Sequence, residues 1–151
     1  MLKLQRNRSK AKLEEEIVSK LQEVQDAASD KMSAGESDDG IRLFEKAWQM
    51  LPEPKLDWDY AVSILRNLCT ACIDAGKFEA GKKWHDKLLK APFADMDSDP
   101  YELGGTIYYH LGDLEKAFEF LKMDVEVGGK RNLKLLEPEI RKFYLDRISK
   151  D

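Results

Sequence analysis

The stretch that decides the fold is residues 104–121, GGTIYYHLGDLEKAFEFL. Apolar residues on both sides of Gly112 recur every three to four positions, which is the spacing of one face of an α-helix. The pattern predicts a helix around residues 101–111, a break at the glycine, and a second helix that runs through Leu121. A pair of helices joined by a tight turn is therefore the basic unit of this chain.

The same helical spacing extends over almost the whole sequence. Glycine and proline interrupt it at turn positions, and acidic residues stand where helices are expected to start. No segment alternates apolar and polar residues with the turn chemistry of a β-hairpin. We therefore predict an all-α protein, with further helices over these approximate segments: 13–35, 37–51, 57–76, 78–89 and 138–148.

Three glycines, Gly35, Gly76 and Gly112, mark equivalent turns in three helix pairs. Small residues stand seven positions before each glycine and five positions after it, where the two helices of a pair are expected to touch. These small residues are Ala28, Cys69 and Gly105 before the turn, and Gly40, Gly81 and Ala117 after it. The sequence therefore predicts that one helical hairpin is repeated three times.

This pattern resembles the tetratricopeptide repeat, a helical hairpin of about 34 residues. The resemblance covers roughly residues 21–129 and implies a helical-hairpin repeat solenoid within a single domain of residues 1–151. It implies three units and a C-terminal capping helix, at approximately 13–52, 57–92, 99–129 and 138–149.

Two residues depart from the repeat pattern. Lys31 stands where the motif has an aromatic residue in the first unit, and Asp124 replaces a small residue in the third. The glycine spacings of 41 and 36 residues also exceed the ordinary repeat length, so the linkers carry extra residues. We expect the first and third units to be degenerate at these positions.

Composition narrows the classes of partner. A chain of 151 residues with 42% hydrophobic content fits one domain, and its formal net charge of −4 disfavours a nucleic-acid partner held by phosphate contacts. The basic N-terminus, MLKLQRNRSKAK, runs into LEEEIVSKLQEV without an apolar core segment, which indicates neither a signal peptide nor a membrane span. We therefore predict a cytoplasmic protein without a membrane or nucleic-acid partner.

Cys69 and Cys72 form a C-x-x-C pair and raise the question of redox or metal chemistry. Both fall on the apolar stripe of a predicted helix, whereas activated thiols of this motif stand at a helix N-terminus after a strand. A zinc site would need two further ligands, and His85 and His110 lie in different repeat units. We expect the cysteines to be packing residues, and we predict no metal and no cofactor.

Catalytic motifs are also missing from the sequence. Asp95, Asp97 and Asp99 resemble the start of a calcium loop, but Pro100 occupies the position of the turn glycine and Thr106 that of the bidentate glutamate. No nucleophile, carboxylate pair or general base is fixed by a motif. We therefore predict that the protein is not an enzyme and has no catalytic residues.

The repeat resemblance places a concave groove along the first helix of each unit. The partner-binding residues predicted there are Arg66, Thr70, Asp74, Glu102, Tyr109 and His110. Among them, Arg66 and Tyr109 are the leading candidates, because arginine and tyrosine often carry the energy of protein interfaces. The carboxylate clamp of chaperone-serving tetratricopeptide proteins is not matched, and the acidic groove residues would repel an acidic tail.

A second resemblance rests on residues 47–65, AWQMLPEPKLDWDYAVSIL, followed by the DAGKFEAG turn and the LGDLEKAFEFL helix. These segments look like a group of small bacterial tetratricopeptide proteins, some of which are encoded beside polymorphic toxins. The resemblance implies a non-catalytic protein-interaction module that acts as an immunity protein or inhibitor and blocks a cognate toxin domain, and the acidic chain would suit a basic toxin domain. The alternative is a general adaptor or chaperone-like scaffold that binds peptide segments.

Overall fold

The computed structural model describes residues 15–150, and predictions that concern residues 1–14 lie outside the described residues. Every regular element within 15–150 is helical, so the prediction of an all-α protein is confirmed for this part of the chain. The α-helices are α1 Glu15–Ser33, α2 Ser37–Met50, α3 Asp59–Asp74, α4 Phe78–Lys90, α5 Asp99–His110, α6 Leu114–Gly128 and α7 Pro138–Lys150. Two 3₁₀ helices, Lys55–Asp57 and Lys130–Leu135, precede α3 and α7.

The contacts divide the chain into two compact units, with the division between Phe93 and Ala94. Unit 1 contains α1 to α4, and each of these helices packs against the next one along the chain. Unit 2 contains α5 to α7, in which α5 packs against α6, and α6 shares a hydrophobic core with α7. The helices of each unit are thus packed in sequence order.

Three glycines end the first helix of each pair in the same way. At the first turn Gly35 has a φ of 77°, a left-handed conformation that glycine adopts without the steric cost of a Cβ atom. The N–H of Glu36 donates to the carbonyl of Lys31, and that of Gly35 to the carbonyl of Met32, which is the Schellman arrangement. The same two bonds recur at the turns of Gly76 and Gly112.

The small residues predicted to touch across each hairpin do so in all three. In α3–α4, the Sγ of Cys69 lies 4.0 Å from the carbonyl oxygen of Gly81. A Cβ atom on Gly40 would lie 3.6 Å from the carbonyl oxygen of Ala28, and one on Gly105 would lie 3.7 Å from that of Ala117. The absence of larger side chains therefore sets how closely the helices approach.

Lys55 anchors the long connection between α2 and α3 to the end of α2. The Lys55 ammonium donates hydrogen bonds to three carbonyls at the end of α2, those of Trp48 at 3.2 Å, Gln49 at 3.3 Å and Leu51 at 2.6 Å. A cation at this position supplies a donor to carbonyls at the end of the helix and opposes the negative end of the helix dipole. The extra residues of the first linker are therefore ordered as a helix cap.

The C-terminal helix α7 completes the core of unit 2. Its buried residues Ile140 and Tyr144 pack with Phe118 and Leu121 of α6. At the surface, Arg147 donates to Glu115 at 2.6 Å and lies over the ring of Phe118, 4.5 Å from its centroid. The segment predicted as a terminal helix thus covers the apolar side of α6.

Candidate functional site

An open groove in unit 1 lies between α1 and α3, with a volume of about 430 Å³. Its walls come from four side chains of each helix, spaced so that they share one helical face. The lining residues are Gln22, Gln25, Asp26, Ser29, Asp59, Tyr60, Ser63 and Asn67. Both helices are the first members of their pairs, which is where the sequence placed the binding surface.

The chemistry of this α1–α3 groove is polar and acidic. Amides and hydroxyls supply hydrogen-bond donors and acceptors, while Asp26 and Asp59 supply carboxylates. Among its lining residues there is no lysine or arginine. Such a surface can pair with the backbone of an extended segment and favours cationic over anionic side chains. It offers no match to a terminal carboxylate.

The predicted residues of unit 1 lie on α3, beside this groove rather than in its lining. Thr70 and Asp74 are exposed, and Arg66 is half-buried. The residues of this helix that line the groove are Asp59, Tyr60, Ser63 and Asn67. The predicted residues and the lining residues thus lie on one helix at different positions, and none of the three predicted residues belongs to the lining.

The predicted residues Tyr109 and His110 contact the C-terminal helix of unit 2. The Tyr109 ring lies 5.5 Å from the ring of Phe143, and it packs against the shared core of α6 and α7. The Nε2 of His110 lies 2.9 Å from the Oε2 of Glu137. These two side chains therefore hold α7 in place, and only their exposed parts remain for a partner.

Glu102, the last predicted residue, belongs to an acidic cluster in unit 2. Burial, together with the charges of Asp124 and Asp99, raises the pKa of Glu102 to about 7. Asp124 is fully buried, and its Oδ1 accepts a 2.8 Å hydrogen bond from the Asn132 amide. Burial also raises the pKa of Asp124, while the Asn132 bond opposes that change. The sequence flagged Asp124 only as a departure from the repeat, and the cluster was not predicted.

The C-x-x-C cysteines are packing residues, as predicted. Cys69 and Cys72 are free thiols with no exposed surface on α3. Burial raises the pKa of Cys69 strongly and that of Cys72 to about 11, so both remain protonated thiols at neutral pH. A protonated, inaccessible thiol is a poor nucleophile.

Comparisons of this chain with models of protein families, with curated proteins and with solved structures give no match. Within residues 15–150, no helix combines the length and apolar character needed to cross a membrane.

Proposed function

We propose that the protein is a non-catalytic protein-interaction module of the tetratricopeptide type, and that it binds its partner through the α1–α3 groove. The observation that carries this proposal is the groove itself, an open surface lined by eight polar side chains from two first helices. A partner segment laid between these helices would meet donors and acceptors from both walls.

The three hairpins support the repeat assignment. Each has a left-handed glycine at its turn, the same pair of turn hydrogen bonds, and a close contact between small residues on its two helices. Stacked repeats bury their apolar surfaces against neighbouring repeats. The polar faces of their first helices therefore remain exposed and can bind other molecules. The helical-hairpin solenoid is therefore part of the proposal.

The first candidate partner is a basic protein domain. The carboxylates of Asp26 and Asp59 stand at the groove, and the whole chain carries a net charge of −4. Complementary charge speeds encounter and rejects partners of the wrong sign. Together with the resemblance to toxin-associated bacterial proteins, this favours a cytoplasmic immunity protein that blocks a basic toxin domain.

A second candidate is a general adaptor that binds extended peptide segments. The shape of the groove favours it, because the gap between two helices suits an extended backbone better than a folded surface. Both candidates use the same side chains and differ in the partner: one folded domain bound tightly, or many segments bound weakly.

The test compares two charge-matched double variants in a pull-down from native cells, read by mass spectrometry. Asp26→Lys with Asn67→Lys reverses the charge inside the groove. Gln49→Lys with Asp86→Lys makes the same change in charge at exposed positions on α2 and α4. We expect the groove variant alone to lose the bound partner, with wild-type circular dichroism for both.

The partner pattern then separates the two candidates. One stoichiometric basic domain supports the immunity role, and purified partner should bind with 1:1 stoichiometry and a marked salt dependence. Many substoichiometric proteins support the adaptor. Equal retention of partners by both double variants would refute the groove assignment.

A further inference from the structure

A second group of polar side chains lies in unit 2 and shares no residue with the lining of the α1–α3 groove. One ligand atom each from His110, Glu137 and Glu139 lies within 4.8 Å of the other two. The imidazole comes from the last residue of α5, whereas the two carboxylates flank Pro138 at the start of α7. Three donors of the kinds that bind transition metals thus converge from the end of α5 and the start of α7 with the residue before it.

We propose that His110, Glu137 and Glu139 bind one divalent ion of the zinc class. Zinc bonds of about 2.0–2.2 Å to nitrogen and oxygen place neighbouring donors of a tetrahedron about 3.3 Å apart. The His110 and Glu137 atoms are already 2.9 Å apart, so an ion between them needs only a small opening of this pair.

Glu139 supplies the third ligand by a modest side-chain movement. Its carboxylate lies no more than 4.8 Å from the other two donors, about 1.5 Å beyond tetrahedral spacing. Since Glu139 is exposed, rotation of its side chain disturbs no packing. Water completes the coordination, because the site faces solvent.

Parts of the site are already held in place. The His110 ring stands edge-on to Tyr109 at 5.6 Å, and less than a quarter of its side chain is exposed. The carbonyl of Glu137 accepts hydrogen bonds from Ile140 and Arg141, which fixes the backbone at the start of α7. The His110 ring and the backbone of Glu137 therefore lose little freedom when an ion binds.

The donor set selects the class of ion. One imidazole with two carboxylates suits zinc and its neighbours, whereas calcium and magnesium need about six or more oxygen ligands. Two carboxylates balance the charge of a divalent ion, and they outweigh the partial positive charge of about +0.5 at the N-terminus of α7. The sequence prediction of no metal weighed the cysteines and a calcium-like loop, and it did not consider the glutamates 27 and 29 residues after His110.

The experiment is a calorimetric titration of the tag-free protein with Zn²⁺, together with cobalt absorption as a report of coordination geometry. We expect one ion per chain, a rise in the melting temperature of unit 2, and a shift of the His110 ring resonances. His110→Ala and Glu139→Gln should each weaken binding by about tenfold or more. Glu119→Gln, which removes an exposed acid elsewhere on α6, should leave binding unchanged.

Three other outcomes would contradict the proposed metal site. His110 is the informative imidazole, because the second histidine of the chain, His85, is fully buried. Binding that survives His110→Ala, or binding that is lost only when both cysteines are replaced, would place the ion elsewhere. If the wild-type protein gives no heat and no cobalt spectrum at a 100-fold excess of metal, the three side chains bind no ion. If His110→Ala fails to fold, Glu139→Gln alone tests whether this cluster holds the ion.

Discussion

Replacing Glu102 by glutamine is expected to stabilise unit 2 at neutral and alkaline pH. The folded protein holds the Glu102 proton with a pKa of about 7, because burial and the neighbouring charges of Asp124 and Asp99 disfavour its carboxylate. In the unfolded chain the pKa returns to an ordinary value near 4.5. The wild-type protein therefore loses stability as the pH rises from about 4.5 to 7, and the loss is complete above 7.

The size of this effect follows from the two pKa values. The difference corresponds to an upper bound of about 3.4 kcal/mol at 1.36 kcal/mol for each pH unit. Glu102 is only half-buried, so solvent screening reduces the expected gain to about 1–2 kcal/mol. Because glutamine resembles the protonated acid, Glu102→Gln should match the wild type near pH 4 and exceed it by this amount at pH 8.

Urea unfolding across this pH range measures the difference. All three tryptophans lie in unit 1, so unit 2 is followed by circular dichroism and by amide exchange at Ile107 and Leu121. Glu119→Gln on the exposed face of α6 serves as the matched control and should show no such dependence. A Glu102→Gln difference that is constant from pH 4 to 8 would refute the assigned coupling.

Three further changes test the packing. Gly105→Ala should destabilise unit 2 by about 1–3 kcal/mol in thermal unfolding, because the new Cβ would lie 2.5 Å from Leu121 Cδ2. Leu121→Val should lower stability less in the Gly105→Ala protein than in the wild type, because the shorter side chain relieves this contact. Lys55→Met should lower the free energy of unfolding by about 1–2 kcal/mol, since three carbonyls at the end of α2 lose the hydrogen bonds that the ammonium donates. Cys69 and Cys72 should react with a thiol reagent at pH 8 only after urea unfolding, because both are buried and the pKa of each is raised.

Each of these has a contrary result. If the losses of stability from Gly105→Ala and Leu121→Val simply add in the double variant, the new methyl group does not contact Leu121. The control for Lys55→Met is Lys46→Met, at an exposed position on α2. An equal loss of unfolding free energy in the two variants would exclude a capping role for Lys55. Rapid labelling of the native thiols would show that α3 opens readily.

The hairpins could be predicted because their determinants are local. A left-handed glycine and two small residues act within one pair of helices, so their spacing in sequence reports directly on contacts in space. The predicted start of the third helix near residue 57 was two residues early, since Lys55–Asp57 forms a 3₁₀ helix before α3 begins at Asp59. This 3₁₀ helix places Lys55 at the end of α2, and the contacts of that side chain cannot be predicted from the spacing of apolar residues.

The candidate sites were less predictable because they depend on contacts between distant residues. Asp124 looked like a faulty repeat position, yet Asn132 from the following 3₁₀ helix satisfies one of its oxygens. In the same way, Tyr109 and His110 were assigned to a groove, while they contact Phe143 of α7 and Glu137 just before it. Nothing in the spacing of the earlier repeats specifies where a terminal helix docks.

The close contacts within each hairpin also bear on how quickly the chain folds. Ala28 and Gly40, Cys69 and Gly81, and Gly105 and Ala117 are separated by only twelve residues each. Closing so short a loop costs little entropy, and helical proteins rich in local contacts fold in about microseconds to milliseconds. Each hairpin is therefore a place where folding can start, before the long-range contacts of α7 form.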